Sequence, residues 1–168
     1  VDYVQNLIKV VKSKGTQQMK AYLELSTNYG FRRQELADIS SKSINDSVIH
    51  VPTVKGKVLR EHLVPDEVAP YLAAYRFKPV HPQTMVNIFL RMQELAKLKH
   101  NEREGFHGIR RSLVTELLNA GVPIHIAYSY MGWKLSTRLG IIGVYARPSP
   151  QEVDRVVMLR HPFLKMWR

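Results

Sequence analysis

From Phe106 to Asn119 the residues repeat with a helical period, and His107 and Arg110 sit three apart on the half that otherwise carries Phe106, Ile109, Leu113, Val114, Leu117 and Leu118. A guanidinium aimed at a core is expensive unless an anion or another acceptor meets it. The pair therefore reads either as a buried salt bridge beside a satisfied core histidine or as a prepared anion site. A second arginine favours the anion site. In Gly30-Phe31-Arg32-Arg33-Gln34-Glu35-Leu36, Arg32 follows a glycine break at a helix start, where backbone N–H groups suit negative charge. Glu35, one turn on, can hold that guanidinium in place, although taken alone the same spacing also fits a surface ion pair.

Further groups follow in order along the chain. Lys55 and Lys57 flank Gly56 in a turn between two short apolar runs, and Tyr145-Ala146-Arg147-Pro148 begins twelve positions after Trp133 of Met131-Gly132-Trp133. The order Arg, hairpin Lys, His-x-x-Arg, Gly-Trp, Tyr resembles the tyrosine recombinase family, the phage-type integrases that cut and rejoin DNA. The resemblance runs from about Met19 to Pro150. It implies that Arg32 is the first active-site arginine and that His107 and Arg110 are the His-x-x-Arg pair. Trp133 takes the place held by His or Trp in the family, and Tyr145 is the nucleophile. The lysine is Lys57, eight residues before Pro65, with Lys55 at ten left open. Two departures accompany the match. Arg111 stands where the family often has histidine, and the step from Trp133 to Tyr145 is longer than usual. In both it resembles archaeal plasmid or virus integrases.

The chemistry implied is phosphodiester transfer, in which fixed positive donors meet charge on the non-bridging oxygens. Two arginines grip both oxygens in forked geometry without changing protonation state. Tyrosine, with a reference pKa of about 10, is a weak nucleophile until cations favour the phenolate, and His107 can accept or relay its proton. Lys57 protonates the leaving 5′ oxygen, and Trp133 packs and hydrogen-bonds near the phosphate. The product is a 3′-phosphotyrosyl link that needs no ATP. No carboxylate cluster or H-E-x-x-H spacing is present, so no metal and no cofactor are expected. Double-stranded DNA is the expected partner, with self-association into a tetramer on recombining DNA. Two other readings remain open at this point: a type IB-like DNA topoisomerase with the same chemistry, and a DNA-binding module in which Tyr145 is idle. Tyr22, Tyr71, Tyr75, Tyr128 and Tyr130 read as packing residues, with Tyr130 the next candidate nucleophile after Tyr145.

The elements that must position these groups are mostly helical. Helices are expected over 16–29, capped by Thr16 and stopped by Gly30, and over 34–39, 66–75, 84–98, 106–119, 123–130 and 151–159. A small antiparallel hairpin is expected between Val48 and Pro65. The fold class is thus mainly α with a small antiparallel β-sheet, and the resemblance implies that it is the tyrosine recombinase catalytic-domain fold. Residues 1–168 are expected to form one catalytic domain, and the resemblance implies a fragment of a longer protein whose N-terminal DNA-binding domain is absent from it. With 25 Lys and Arg against 14 Asp and Glu, the net charge is +11 and the pI about 10.0. That favours a polyanionic partner. An apolar share of 45% can bury one core and argues against disorder. The absence of cysteine excludes disulfides, thiol catalysis and thiolate metal sites. No run of about 18 apolar residues offers a membrane span, and a cytoplasmic location, in the prokaryotic cell interior or nucleoid, is expected. The tail from 151 to 168 is apolar enough to dock on its own body or on a neighbouring protomer.

Overall fold

A computed structural model describes residues 2–45, 47–52, 60–99, 105–133 and 148–168. Helix α1 spans Asp2–Lys14 and α2 spans Gln17–Tyr29. Next come α3 (Arg33–Asp38), a 3-10 turn (Ser41–Ser43), strand β1 (Val48–Val51) and strand β2 (Arg60–Leu63). Helices α4 (Ala69–Ala73), α5 (Pro82–Leu95), α6 (Phe106–Asn119), α7 (Ile124–Tyr130) and α8 (Pro150–Leu159) complete the order, with a terminal 3-10 turn at Leu164–Trp167.

Helix α2 is the axis of the core. From Ala21 onward it is buried on every side, wrapped by α1, α3, α4, α5, α6 and the terminal turn. Thr16 accepts a hydrogen bond from the Met19 N–H at 3.2 Å, satisfying one of the helix's orphan donors. Gly30 ends it at φ 61°, a left-handed conformation that glycine adopts without steric cost. The chain therefore turns sharply into Phe31 and α3. The two strands pair antiparallel with Val48 opposite Leu63 and Val51 opposite Arg60, which agrees with the expected hairpin. Its turn, with Lys55 and Lys57, lies outside the described residues.

Several expectations about the elements need correction. Helix α1 was not anticipated, although Val4, Leu7, Ile8 and Val11 are buried at the i, i+3, i+4, i+7 spacing of an amphipathic helix. The stretch 66–75 is helical only over Ala69–Ala73, because Pro70 lacks the N–H that an interior helical position needs and so fits only the first turn. Pro82 opens α5 instead of preceding it, with His81 capping the Gln83 N–H at 3.2 Å. That helix closes at Leu95, and Lys97 follows with a positive φ of 52° that stops any continuation toward Leu98.

The tail docks on its own body. Phe163, Leu164 and Trp167 are buried, with the terminal turn against α1 and α2. The Trp167 indole N–H donates to Thr27 Oγ1 at 3.1 Å, and Lys12 Nζ donates to the carbonyls of Met166 and Arg168. Among the described residues, no helix is long and apolar enough to cross a membrane.

Candidate active site

Arg110 is the buried centre of the site. It projects from α6 with about 1% of its surface exposed, and its guanidinium donates to the carbonyls of Gly30 and Met131. Those carbonyls sit at the C-terminal ends of α2 and α7, where the last helical acceptors lack intrahelical partners and the dipoles are negative. The guanidinium also lies over the Trp133 ring, 5.2 Å from its centroid. Burial, reinforced by the nearby Arg60 and Arg32 charges, pushes the Arg110 pKa down to about 9. The buried salt bridge considered for Arg110 is therefore replaced, among the described residues, by two helix-end carbonyls and an aromatic face.

Arg32 presents the opposite character. Its side chain is 46% exposed, and its Nη1 donates to Glu35 Oε1 at 2.8 Å, as the motif spacing suggested. The other Glu35 oxygen accepts the Arg32 backbone N–H at 2.7 Å, so the anion at this helix start is the protein's own carboxylate. The same oxygen stands 3.5 Å from Arg60 Nη1. Glu35 thus lies between an exposed arginine and a buried one.

Sequence reasoning missed Arg60. It is buried on β2, where it donates to the Tyr29 carbonyl at 2.9 Å, the Met131 carbonyl at 3.1 Å and His62 Nε2 at 2.9 Å. It also lies over the Phe31 ring, 5.3 Å from its centroid. Burial lowers its pKa, while Glu35 opposes that shift. Two guanidinium groups therefore converge on one carbonyl, that of Met131. Gly132 follows at φ 64°, and a Cβ there would stand 2.9 Å from Arg60 Cδ, so the backbone closes tightly on the arginine stem. Because His62 Nε2 accepts from Arg60, its Nδ1 carries the proton and donates to Asp154 Oδ1 at 3.0 Å. The other Asp154 oxygen accepts the Leu63 N–H. Strand β2 is thereby joined to α8.

Of the expected site residues, Arg32, Arg110 and Trp133 are gathered here. Trp133 is partly buried, edge-to-face with Tyr128 at 5.1 Å. His107 lies on the first turn of α6 but is exposed, which corrects its placement on the apolar half and removes the core-histidine reading. Lys57, Lys55 and Tyr145 lie outside the described residues. Tyr130, the fallback nucleophile, is excluded by its surroundings: its hydroxyl is buried, donates to the Asn28 carbonyl at 2.6 Å, and is pushed well above its ordinary pKa by burial. Among the described residues, no group of three or more His, Asp or Glu side chains is close enough together to hold a metal ion.

A basic, mostly helical domain with two neighbouring arginines anchored beside a two-stranded sheet matches the phage integrase family model over residues 1–152, and the chain belongs to that family. Its fold is that of the tyrosine recombinase catalytic domain. Among solved structures it is similar to XerA recombinase, with a TM-score of 0.65, 18% identity, and coverage of 96% of this chain and 64% of that one. It is also similar to the integrase from mycobacterium phage Brujita, with a TM-score of 0.72, 16% identity, and coverage of 98% and 62%. The chain thus spans less than two thirds of the length of either protein. No curated protein matches it.

Proposed function

We propose that this chain is the strand-cleaving and rejoining domain of a site-specific DNA recombinase or integrase, with residues 1–168 acting as one catalytic domain of a longer protein. The observation that carries the reading is the arginine pair: Arg110 fixed on the Gly30 and Met131 carbonyls, and Arg32 held by Glu35 two residues beyond Gly30. Donors fixed in advance stabilise developing charge without reorganising at the moment of reaction. Arg32, half exposed, meets one non-bridging oxygen of the scissile phosphate, and Arg110 meets the other with the N–H groups that the Gly30 and Met131 carbonyls leave unused, once DNA binding opens access to it. Tyr145 attacks phosphorus, the 5′ oxygen leaves with a proton from Lys57, and a 3′-phosphotyrosyl bond stores the energy for rejoining. His107, exposed on the turn that precedes Arg110, accepts or relays the tyrosine proton. Trp133, with its ring against the Arg110 guanidinium, packs and hydrogen-bonds through its indole N–H near the phosphate. The reaction uses neither metal nor ATP, acts on double-stranded DNA inside the cell, and proceeds in a tetramer of the full-length protein.

Trapping on a nicked suicide duplex, followed by peptide mapping of the DNA-linked residue, tests this directly. A covalent adduct at Tyr145 is expected, and Tyr145→Phe should abolish it while duplex binding stays close to wild type. An adduct that persists in Tyr145→Phe moves the nucleophile elsewhere. Strand exchange between two duplexes distinguishes a recombinase from an enzyme that only nicks and reseals, and binding without any adduct identifies a DNA-binding module.

A further inference from the structure

The stretch 134–147, which carries Tyr145, is flanked by Met131–Trp133 at the end of α7 and by α8. Both flanks are held by the same short strand. On the near side, Arg60 of β2 donates to the Met131 carbonyl at 3.1 Å, the carbonyl that Arg110 also holds. On the far side, His62 Nδ1 donates to Asp154 Oδ1 at 3.0 Å and the Leu63 N–H donates to Asp154 Oδ2. Arg60, His62 and Asp154 are all buried, so these bonds are made out of water, where losing a partner leaves an uncompensated polar group. Arg60 also connects to Glu35, which holds Arg32.

We propose that Arg60 is a positioning residue for strand cleavage: with His62 and Leu63 it makes β2 a clamp that fixes both flanks of the Tyr145 stretch relative to the arginine pair. The proposal rests on the reading of Tyr145 as nucleophile. In this role Arg60 works at one remove from the reacting atoms. It acts through the Met131 carbonyl and Glu35, while His62, oriented by the Arg60 Nε–H, passes the constraint to Asp154. Lys55 and Lys57 stand five and three residues before Arg60 in the sequence, just ahead of the same strand. A displacement of β2 would therefore be felt on the nucleophile side and the leaving-group side together. Misplacement of a reacting group by about 1 Å can cost about a hundredfold in rate.

The test compares wild type, Arg60→Met and Arg60→Lys in single-turnover adduct formation at saturating duplex, with duplex affinity and thermal melting measured in parallel. Wild type must first form the Tyr145 adduct; if it does not, the functional reading fails independently of the clamp. Given that adduct, Arg60→Met is expected to slow its formation about tenfold or more while the duplex Kd stays within about twofold. Arg60→Lys keeps a charge to meet Glu35 but cannot reach the Tyr29 and Met131 carbonyls and His62 together, so it is expected to stay slow although folded. Full recovery of the rate in Arg60→Lys, or a wild-type rate in Arg60→Met with only a lower melting temperature, overturns the proposal and leaves Arg60 a structural residue. If both variants are unfolded at the assay temperature, Asp154→Asn is read instead. It removes the charge that His62 meets while preserving shape, and slowed adduct formation at unchanged Kd supports the clamp, whereas a wild-type rate overturns it.

Discussion

Arg32 and Arg110 share a proposed task and differ in how the protein holds them. Arg110 lies in the core and closes two helix ends, whereas Arg32 is half exposed and leans on a single carboxylate. Each alanine variant should slow cleavage by roughly a hundredfold, the scale seen when one fixed donor is lost from a charged transition state. Their stabilities should diverge. Arg110→Ala takes the donor from the buried Gly30 carbonyl, at about 1–3 kcal/mol for an unsatisfied group, and leaves the Met131 carbonyl to Arg60 alone, while Arg32→Ala should melt within a degree or two of wild type. Thermal melts beside single-turnover rates check both halves; equal melting losses would mean that the exposed ion pair matters more to folding than its geometry implies. At this scale Arg110 was legible, because a cation on an apolar helical face needs a local explanation. Arg60 was not. In Arg60-Glu61-His62-Leu63 the inward positions are the charged and polar ones, inverting the usual alternation of a half-buried strand, and their partners lie far away along the chain.

Among the elements, the tail offers the sharpest measurements. His161 Nδ1 accepts the N–H groups of Phe163 and Leu164 at 3.2 and 3.0 Å, so its Nε2 carries the proton and donates to the Asn28 carbonyl at 2.8 Å. Burial holds this imidazole neutral and pushes its pKa down to about 4, against about 6.5 for a free histidine. Between those values the unfolded chain binds the extra proton, so the contribution of His161 to stability should be full above about pH 6.5 and be lost as pH drops toward 4. His62, also pushed down by burial, adds to the same slope. Urea unfolding across that range should therefore show an acid loss that His161→Gln flattens only in part; an unchanged slope would remove His161 from its origin. Nearby, Trp167→Ala should cost about 3–5 kcal/mol, as for other large buried aromatics, measured by the same unfolding curves. Elements with both a period and punctuation were readable in advance: α2 between Thr16 and Gly30, and α6 between Gly105 and Gly121, needed no long-range information. Helices with prolines near their ends were harder, since proline can either break a helix or open one, and tertiary packing decided for Pro70 and Pro82.

For the molecule as a whole, the net charge of +11 means that, on the proposed function, duplex affinity would be set largely by released counterions. A plot of log K against log salt should fall with a slope of about −0.9 for each phosphate contacted, and a flat plot would contradict the use of this charge as a DNA footprint. The fold class was readable from composition and periodicity because a helical majority with one hairpin leaves few alternatives. The path of the tail was not, since an apolar segment specifies that it will be covered and not by what. Its resting place also has a mechanical consequence: Lys12 grips the carbonyls of Met166 and Arg168 while Trp167 is pinned to Thr27, so tension applied to the terminal turn would load α1 and α2 together instead of peeling one away from the other.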